Sequence, residues 1–157
     1  MIATSRLKVR HLDAADYVPY CQLQGDARVK QFTGGPHSVS AAAYQDFISA
    51  PAISLMAVCT KDDGRFIGTC GFRDVDGRIE LEIFLSPEVH GQGLGGELFD
   101  AMISYCAATF PKAKVGASVS PLNSRAIKLL ESRGFQSTGE SITLKSGFKH
   151  SVYVKSS

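Results

Sequence analysis

Glu80-Leu81-Glu82-Ile83-Phe84-Leu85-Ser86-Pro87-Glu88-Val89-His90-Gly91-Gln92-Gly93-Leu94-Gly95-Gly96 is the stretch that decides the fold of this chain. It begins with alternation: Leu81, Ile83 and Leu85 take one face of a strand, while Glu80, Glu82 and Phe84 take the other. After Pro87 a glycine cluster opens a helix whose apolar positions Leu94, Leu98, Met102 and Tyr105 recur every three or four residues. Glycines at such a junction let the backbone approach a ligand closely and turn several N–H groups the same way. The unpaired amides of a helix start then favour an anion. A phosphate site over Gly91, Gly93, Gly95 and Gly96 is expected.

Gly91, Gly93 and Gly96 also fit Gly-x-Gly-x-x-Gly, the dinucleotide fingerprint. That motif belongs to a first βαβ unit, whereas here about half the chain precedes it. The next strand, Val115 to Val119, holds no Asp or Glu for a ribose, and too little chain follows for a doubly wound sheet. A Walker loop fails because Glu97, not Lys, follows Gly96. The bland alternative is a turn merely rich in glycine.

Upstream lie three apolar runs, Ser54 to Thr60, Phe66 to Phe72 and Arg78 to Leu85, separated by Asp63-Gly64 and Asp76-Gly77. Asp-Gly favours tight hairpins because both residues tolerate positive φ, so an antiparallel three-strand meander is expected. Earlier still, Leu7 and Val9 alternate as a strand does, Asp13 to Asp26 has helical spacing, and Thr33-Gly34-Gly35-Pro36-His37 breaks the chain. Ser40 is placed to cap a helix over Ala41 to Ile48, which Pro51 closes. Downstream, Lys114 to Val119 reads as a strand, and Asn123 or Ser124 caps a helix carrying Ala126, Ile127, Leu129 and Leu130 that Gly134 ends. Phe135 starts a last pair of strands with a turn near Ser146-Gly147. The order β α α β β β α β α β β describes an α+β fold.

At 157 residues and 44% apolar composition, one well-buried core and a single domain over 1–157 are expected. With 17 basic against 15 acidic residues and a net charge of +2, electrostatic capture of nucleic acid or of an anionic membrane has no basis. Cys21, Cys59, Cys70 and Cys106 are widely spaced, with no Cys-x-x-Cys pair and no histidine at zinc spacing, so no metal site is expected and the thiols read as small core residues. Met1 to Arg10 alternates charged and apolar residues, unlike a secretory signal or a spanning helix, and free thiols without an export signal point to the cytoplasm.

The His90-Gly91-Gln92-Gly93-Leu94-Gly95 segment resembles the Arg/Gln-x-x-Gly-x-Gly/Ala loop of the GNAT acetyltransferase superfamily, with Pro87 also in its usual place. His90 departs from the usual Arg or Gln. A second stretch, Asn123-Ser124-Arg125-Ala126 followed by Leu129-Leu130-Glu131-Ser132-Arg133-Gly134-Phe135, is similar to the family's Asn-x-x-Ala helix ending in Gly-Phe. Two motifs at the right separation are more specific than either alone, and the resemblance extends over nearly the whole chain. Within the superfamily, Arg6-Leu7-Lys8-Val9-Arg10, Glu82-Ile83-Phe84 and Gly147 to Tyr153 look most like the ribosomal-protein-alanine N-acetyltransferase branch.

The resemblance implies a mixed, mostly antiparallel sheet of about seven strands flanked by about four helices. It also implies acetyl-CoA as cosubstrate, no metal, an amine-bearing acceptor that is either a small molecule or a peptide N-terminus, and room for a homodimer. On this reading Phe84, Leu85, His90, Gly91, Gln92, Gly93, Leu94, Gly95, Gly96, Asn123, Arg125, Ala126 and Leu130 hold CoA, with Asn123 on the pantetheine arm and Arg125 or Lys128 near the phosphates. Backbone N–H groups around Phe84 and Leu85 would hold the thioester oxygen. The loop with Phe32 and His37 borders the acceptor groove in the family.

Acetyl transfer to an amine requires a neutral nucleophile, yet most primary amines are protonated at neutral pH, so a carboxylate must take a proton directly or through water. Glu82 is the first choice for that base and Glu80 the second; otherwise both cover a solvated sheet face. The family often has Tyr as general acid where this chain has Leu130, and no tyrosine replaces it locally. A thiol pKa of about 8.5 makes thiolate a tolerable leaving group without one. A CoA-binding module without catalysis is the alternative from another class, and a dinucleotide-dependent oxidoreductase is third.

Overall fold

The computed structural model describes residues 2–156. Eight strands form one sheet in the order β1-β2-β3-β4-β5-β6-β8-β7. They are β1 (Ile2–Ala3), β2 (Leu7–His11), β3 (Met56–Thr60), β4 (Phe66–Val75), β5 (Arg78–Leu85), β6 (Lys114–Val119), β7 (Phe135–Thr143) and β8 (Lys149–Lys155). The five α-helices are α1 (Tyr17–Gln24), α2 (Ala27–Lys30), α3 (Ala41–Ser49), α4 (Leu94–Thr109) and α5 (Ser124–Ser132).

The expected α+β architecture holds, with one more strand and one more helix than the motifs alone suggest. The extra strand is β1, whose register Ile2↔Val9 and Ala3↔Lys8 is a tertiary pairing with no local signal. The extra helix, α2, lies just beyond the Asp13–Asp26 region, restarted at its last residue. Asp13 caps a 3₁₀ turn over Ala14–Asp16, α1 ends at Gly25, and Asp26 caps α2 by accepting from the Arg28 N–H. Ser40 caps α3 through the Ala43 N–H, as the sequence suggests.

The two Asp-Gly turns differ. Asp76 and Gly77 take φ of 53° and 82°, joining β4 to β5 through a tight two-residue turn with Val75 opposite Arg78. At Asp63-Gly64 only Gly64 has positive φ, and the connection from Thr60 to Phe66 is longer. There the Asp63 carboxylate accepts from the Thr60 hydroxyl and the Arg65 N–H, which stabilises the wider loop.

Alternation along the strands builds two cores. Met56 and Val58 join Cys70, Phe72, Leu81, Leu94, Leu98 and Met102 under α4 and α5. Ala57 and Cys59 join Tyr20 and Tyr44 under α1 and α3. The four cysteines are free thiols; Cys59, Cys70 and Cys106 are buried, and burial pushes Cys70 up to about 12.

Every pairing is antiparallel except β5 with β6, which run parallel. Their rungs are Arg78↔Lys114, Ile79↔Val115 and Glu80↔Gly116, and beyond Glu80 the two strands part. On the other side β5 presses closely on β4: a Cβ on Gly68 would lie 2.1 Å from the Phe84 carbonyl oxygen and 2.9 Å from Leu85 Cα. Gly68→Ala therefore forces β5 backbone to shift, and a loss of about 1–3 kcal/mol or more is expected. In thermal unfolding this is a drop of about 2–12 °C or more; an unchanged melting temperature would mean that β4 and β5 are not closed up at this point.

Candidate active site

The parting of β5 and β6 opens a cavity of about 380 Å³ that passes through the sheet. On the α1/α3 side it is lined by Lys30, Phe32, Arg73, Glu80, Glu82, Phe84, Ser118 and His150. On the α4/α5 side it is lined by Leu81, Ile83, Phe99, Ala117, Asn123, Ala126 and Leu130. Strand alternation produces this division, because Glu80, Glu82 and Phe84 share one face of β5 while Leu81 and Ile83 pack into the core on the other.

The β5 backbone contributes as well. Ser86 N–H donates to Ile67 O at 2.8 Å, so the N–H groups of Phe84 and Glu82 also turn toward β4. Those of Ile83 and Leu85 turn to the opposite edge, where no β6 partner remains. Of the pair expected to serve an oxyanion, Leu85 is thus available and Phe84 is tied up in the sheet; Ile83 is the second free donor.

The two glutamates differ in setting. Glu80 is buried, and its carboxylate accepts from Arg78 Nη2 at 2.9 Å. The Glu82 side chain is about half exposed and 3.8 Å from the Arg73 guanidinium. Between α2 and the strand, the Lys30 ammonium lies 4.1 Å from the centre of the Phe84 ring, and Lys30 is only 9% exposed. His150 Nε2 lies 2.9 Å from Phe32 O; a carbonyl only accepts, so Nε2 carries the hydrogen and Nδ1 faces the Ser118 hydroxyl at 3.5 Å. This pair fixes the Phe32 loop against β6 and β8.

At the end of β5 a 3₁₀ turn, Pro87–Val89, leads to His90, whose Nε2 donates to Leu85 O at 2.9 Å. His90 therefore clamps the turn. Gly91 and Gly93 take φ of 80° and 77°, and Gly93 caps α4 with no side-chain hydrogen bond, leaving the first-turn amides unpaired by any side chain. Space is open above Gly91, and a Cβ on Gly93 would meet only Arg6 Nη2, at 3.6 Å. Arg6 straps this loop: Nη1 donates to Gln92 O at 2.9 Å and Nε to Glu97 Oε1 at 2.8 Å. The Thr4 hydroxyl bonds the same carboxylate, and together with Arg6 it holds Glu97 below its ordinary pKa.

A family model for the acetyltransferase (GNAT) domain matches residues 6–136. The chain belongs to the GNAT acetyltransferase family. It is 29% identical over 146 residues, 87% of this chain and 82% of the other, to a protein of Bacillus licheniformis described as an uncharacterized N-acetyltransferase, p20. Its fold is similar to that of a GNAT-family acetyltransferase from Bacillus anthracis, with a TM-score of 0.81 at 16% identity over 98% of this chain and 95% of that one. It is also similar to a spermidine N-acetyltransferase from Vibrio cholerae solved with CoA and spermine, with a TM-score of 0.78 at 19% identity over 96% and 95%.

Within this GNAT domain the glycine loop, with two left-handed glycines at the start of a 16-residue helix, suits a pyrophosphate in geometry. Asn123 caps α5 by accepting from Ala126 N–H at 3.2 Å through Oδ1, so its Nδ2 is left to serve a ligand in the cavity it lines. Arg125 and Lys128 are exposed and not part of that lining. Leu130, 3% exposed, packs in the core with Phe99 and Phe135.

His37 is not brought into this cavity. Its N–H donates to Gln24 O at 3.0 Å, which ties it to the end of α1 and into a separate shallow depression with Cys21 and Pro36. Burial and the Lys30 charge lower its pKa. Lys30, Arg73, Ser118, His150 and Arg6 were not singled out for the site by sequence reasoning, although Arg6 stands in the opening segment that resembles one branch of the family. Among the described residues no group of three or more His, Cys, Asp or Glu is placed to hold a metal, and no helix is long and apolar enough to cross a membrane.

Proposed function

We propose that this chain is an N-acetyltransferase that moves the acetyl group of acetyl-CoA to a primary amine by direct attack in a ternary complex. The observation that carries the reading is the cavity through the sheet, which joins a donor side beside Asn123 and α4 to a carboxylate-bearing face on β5. Free thiols support a reducing compartment such as the cytoplasm.

The backbone amides of Gly91 to Gly96 and Asn123 Nδ2 would bind CoA. The cosubstrate supplies an acetyl thioester, whose C–S bond breaks as the amine's N–C bond forms, the departing thiol retaining one of the two protons the ammonium loses. Glu82 takes the other proton, directly or through water. It is accessible, whereas Glu80 is held by Arg78. Leu85 and Ile83 N–H groups stand ready to donate to an oxygen in the gap, an arrangement worth most where water is excluded. Lys30, stacked on Phe84, closes the acceptor end.

Burial of Leu130 in the core, where relatives often carry Tyr, favours a second reading, a CoA-binding module without turnover. One measurement tests the donor that both readings share, and a second separates them. CoA is expected to raise the melting temperature and NAD is not; equal or greater protection by NAD would overturn the donor assignment. Thiol release from acetyl-CoA on adding an amine supports catalysis, and protection by CoA with no thiol release from any amine supports the binding module.

A further inference from the structure

The acceptor side of the cavity is not acidic on balance. Glu80 is paired with Arg78 at 2.9 Å and Glu82 approaches Arg73 at 3.8 Å. Lys30 is the remaining charge: among the described residues its ammonium has the Phe84 ring as its neighbour and no carboxylate or hydrogen-bond acceptor. Burial lowers its pKa and the Glu82 charge opposes that effect, which is the behaviour of a cation lacking a close counter-charge. A ring face offsets only part of what an ammonium loses on leaving water. A polyamine would bring several further cations against Lys30 and Arg73, with Glu80 held by Arg78 and Glu82 the one accessible carboxylate to meet them.

We propose that the acceptor is a small amine bearing its own carboxylate, of the amino-acid class, and that Lys30 binds that carboxylate while Glu82 faces the amine. The proposal rests on the acetyltransferase reading above. Glu82 and Phe84, two residues apart on one strand face, are about 7 Å apart along β5, a length covered by the short amine-to-carboxylate span of an α-amino acid together with a hydrogen bond of about 2.9 Å at each end. Lys30 reaches over Phe84, so the acid group lies beside that ring and the amine points to Glu82. Phe32 and Leu144 add apolar wall, and His150 and Ser118 add polar wall, for the remainder of such a molecule.

The test compares free amino acids with their own amides and with spermidine as acceptors in thiol release, identifying products by mass spectrometry. The free acid is expected to exceed its amide by about tenfold or more in kcat/KM, the worth of one charge-assisted contact. In Lys30→Gln that ratio falls toward one, and in Lys30→Arg, which keeps the charge, it persists. The proposal is overturned if the amide or spermidine is preferred by the unaltered protein, or if Lys30→Gln leaves the ratio intact. Turnover of amines without any preference for the acid defeats this proposal alone. No turnover of any acceptor defeats the acetyltransferase reading and this proposal with it.

Discussion

Gly93→Asp is expected to abolish CoA binding in a domain that remains folded. Gly93 has φ of 77° at the cap of α4, and its missing Cβ would meet nothing closer than Arg6 Nη2 at 3.6 Å. Asp tolerates the left-handed region better than other substituted residues and is a favoured cap, so the strand-to-helix junction survives. The new carboxylate competes for Arg6 and for the first-turn amides, and it repels phosphate. At 4 Å and an effective dielectric of 20 a like charge costs about 4 kcal/mol, or about 10³-fold in affinity. Gly93→Ala adds strain without charge and is expected to lose much less. Calorimetric titration with CoA, alongside circular dichroism, decides the matter; a folded Gly93→Asp protein with unaltered affinity would place the donor site elsewhere.

Glu82→Gln is expected to slow acetylation at neutral pH by about 10²-fold or more, the lower end of what a positioned base contributes. Gln keeps size and polarity and cannot take a proton. CoA affinity should stay within the error of measurement because Glu82 lines the face of β5 remote from α4. Raising the pH should restore part of the rate, since more of the acceptor amine is then already neutral. Glu80→Gln acts differently: its amide oxygen can still accept from Arg78, but the counter-charge of a guanidinium whose buried Nε already lacks a hydrogen bond is lost, and so it should lower stability more than rate. A crippled Glu80→Gln beside a fully active Glu82→Gln would move the base by one pleat. Full activity in both would leave solvent as the proton acceptor.

Features encoded locally could be read from the residues: the alternation of β5, the Asp76-Gly77 turn, the Ser40 and Asn123 caps, and the glycine loop each depend on neighbours close in sequence. The backbone of the proposed donor side, a strand, a glycine turn and a capped helix, was legible for that reason. The acceptor side was not, because it is assembled from distant segments. Lys30 comes from α2, Arg73 from β4 and Ser118 from β6, and the His150 contact to Phe32 spans 118 residues. No periodicity announces such a meeting. His37 attracted notice by its loop, yet one backbone hydrogen bond to Gln24 directs it elsewhere. Asp63-Gly64 and Asp76-Gly77 share a dipeptide, and only the second forms the tight turn, because at the first the Asp63 side chain finds partners in Thr60 and Arg65.

The parting of β5 from β6 divides labour between two kinds of chemical group, with a consequence for how such a domain diversifies. On the donor side of the proposed site the groups offered are largely backbone, the free Ile83 and Leu85 amides and the unpaired start of α4, which substitution of side chains leaves in place. On the acceptor side every group facing the cavity from Lys30, Arg73, Glu82, Ser118 and His150 is a side chain on a strand or helix already secured by other contacts. If the two sides bind as proposed, acceptor preference can drift one residue at a time with little disturbance of the donor, so that one fold serves different amines.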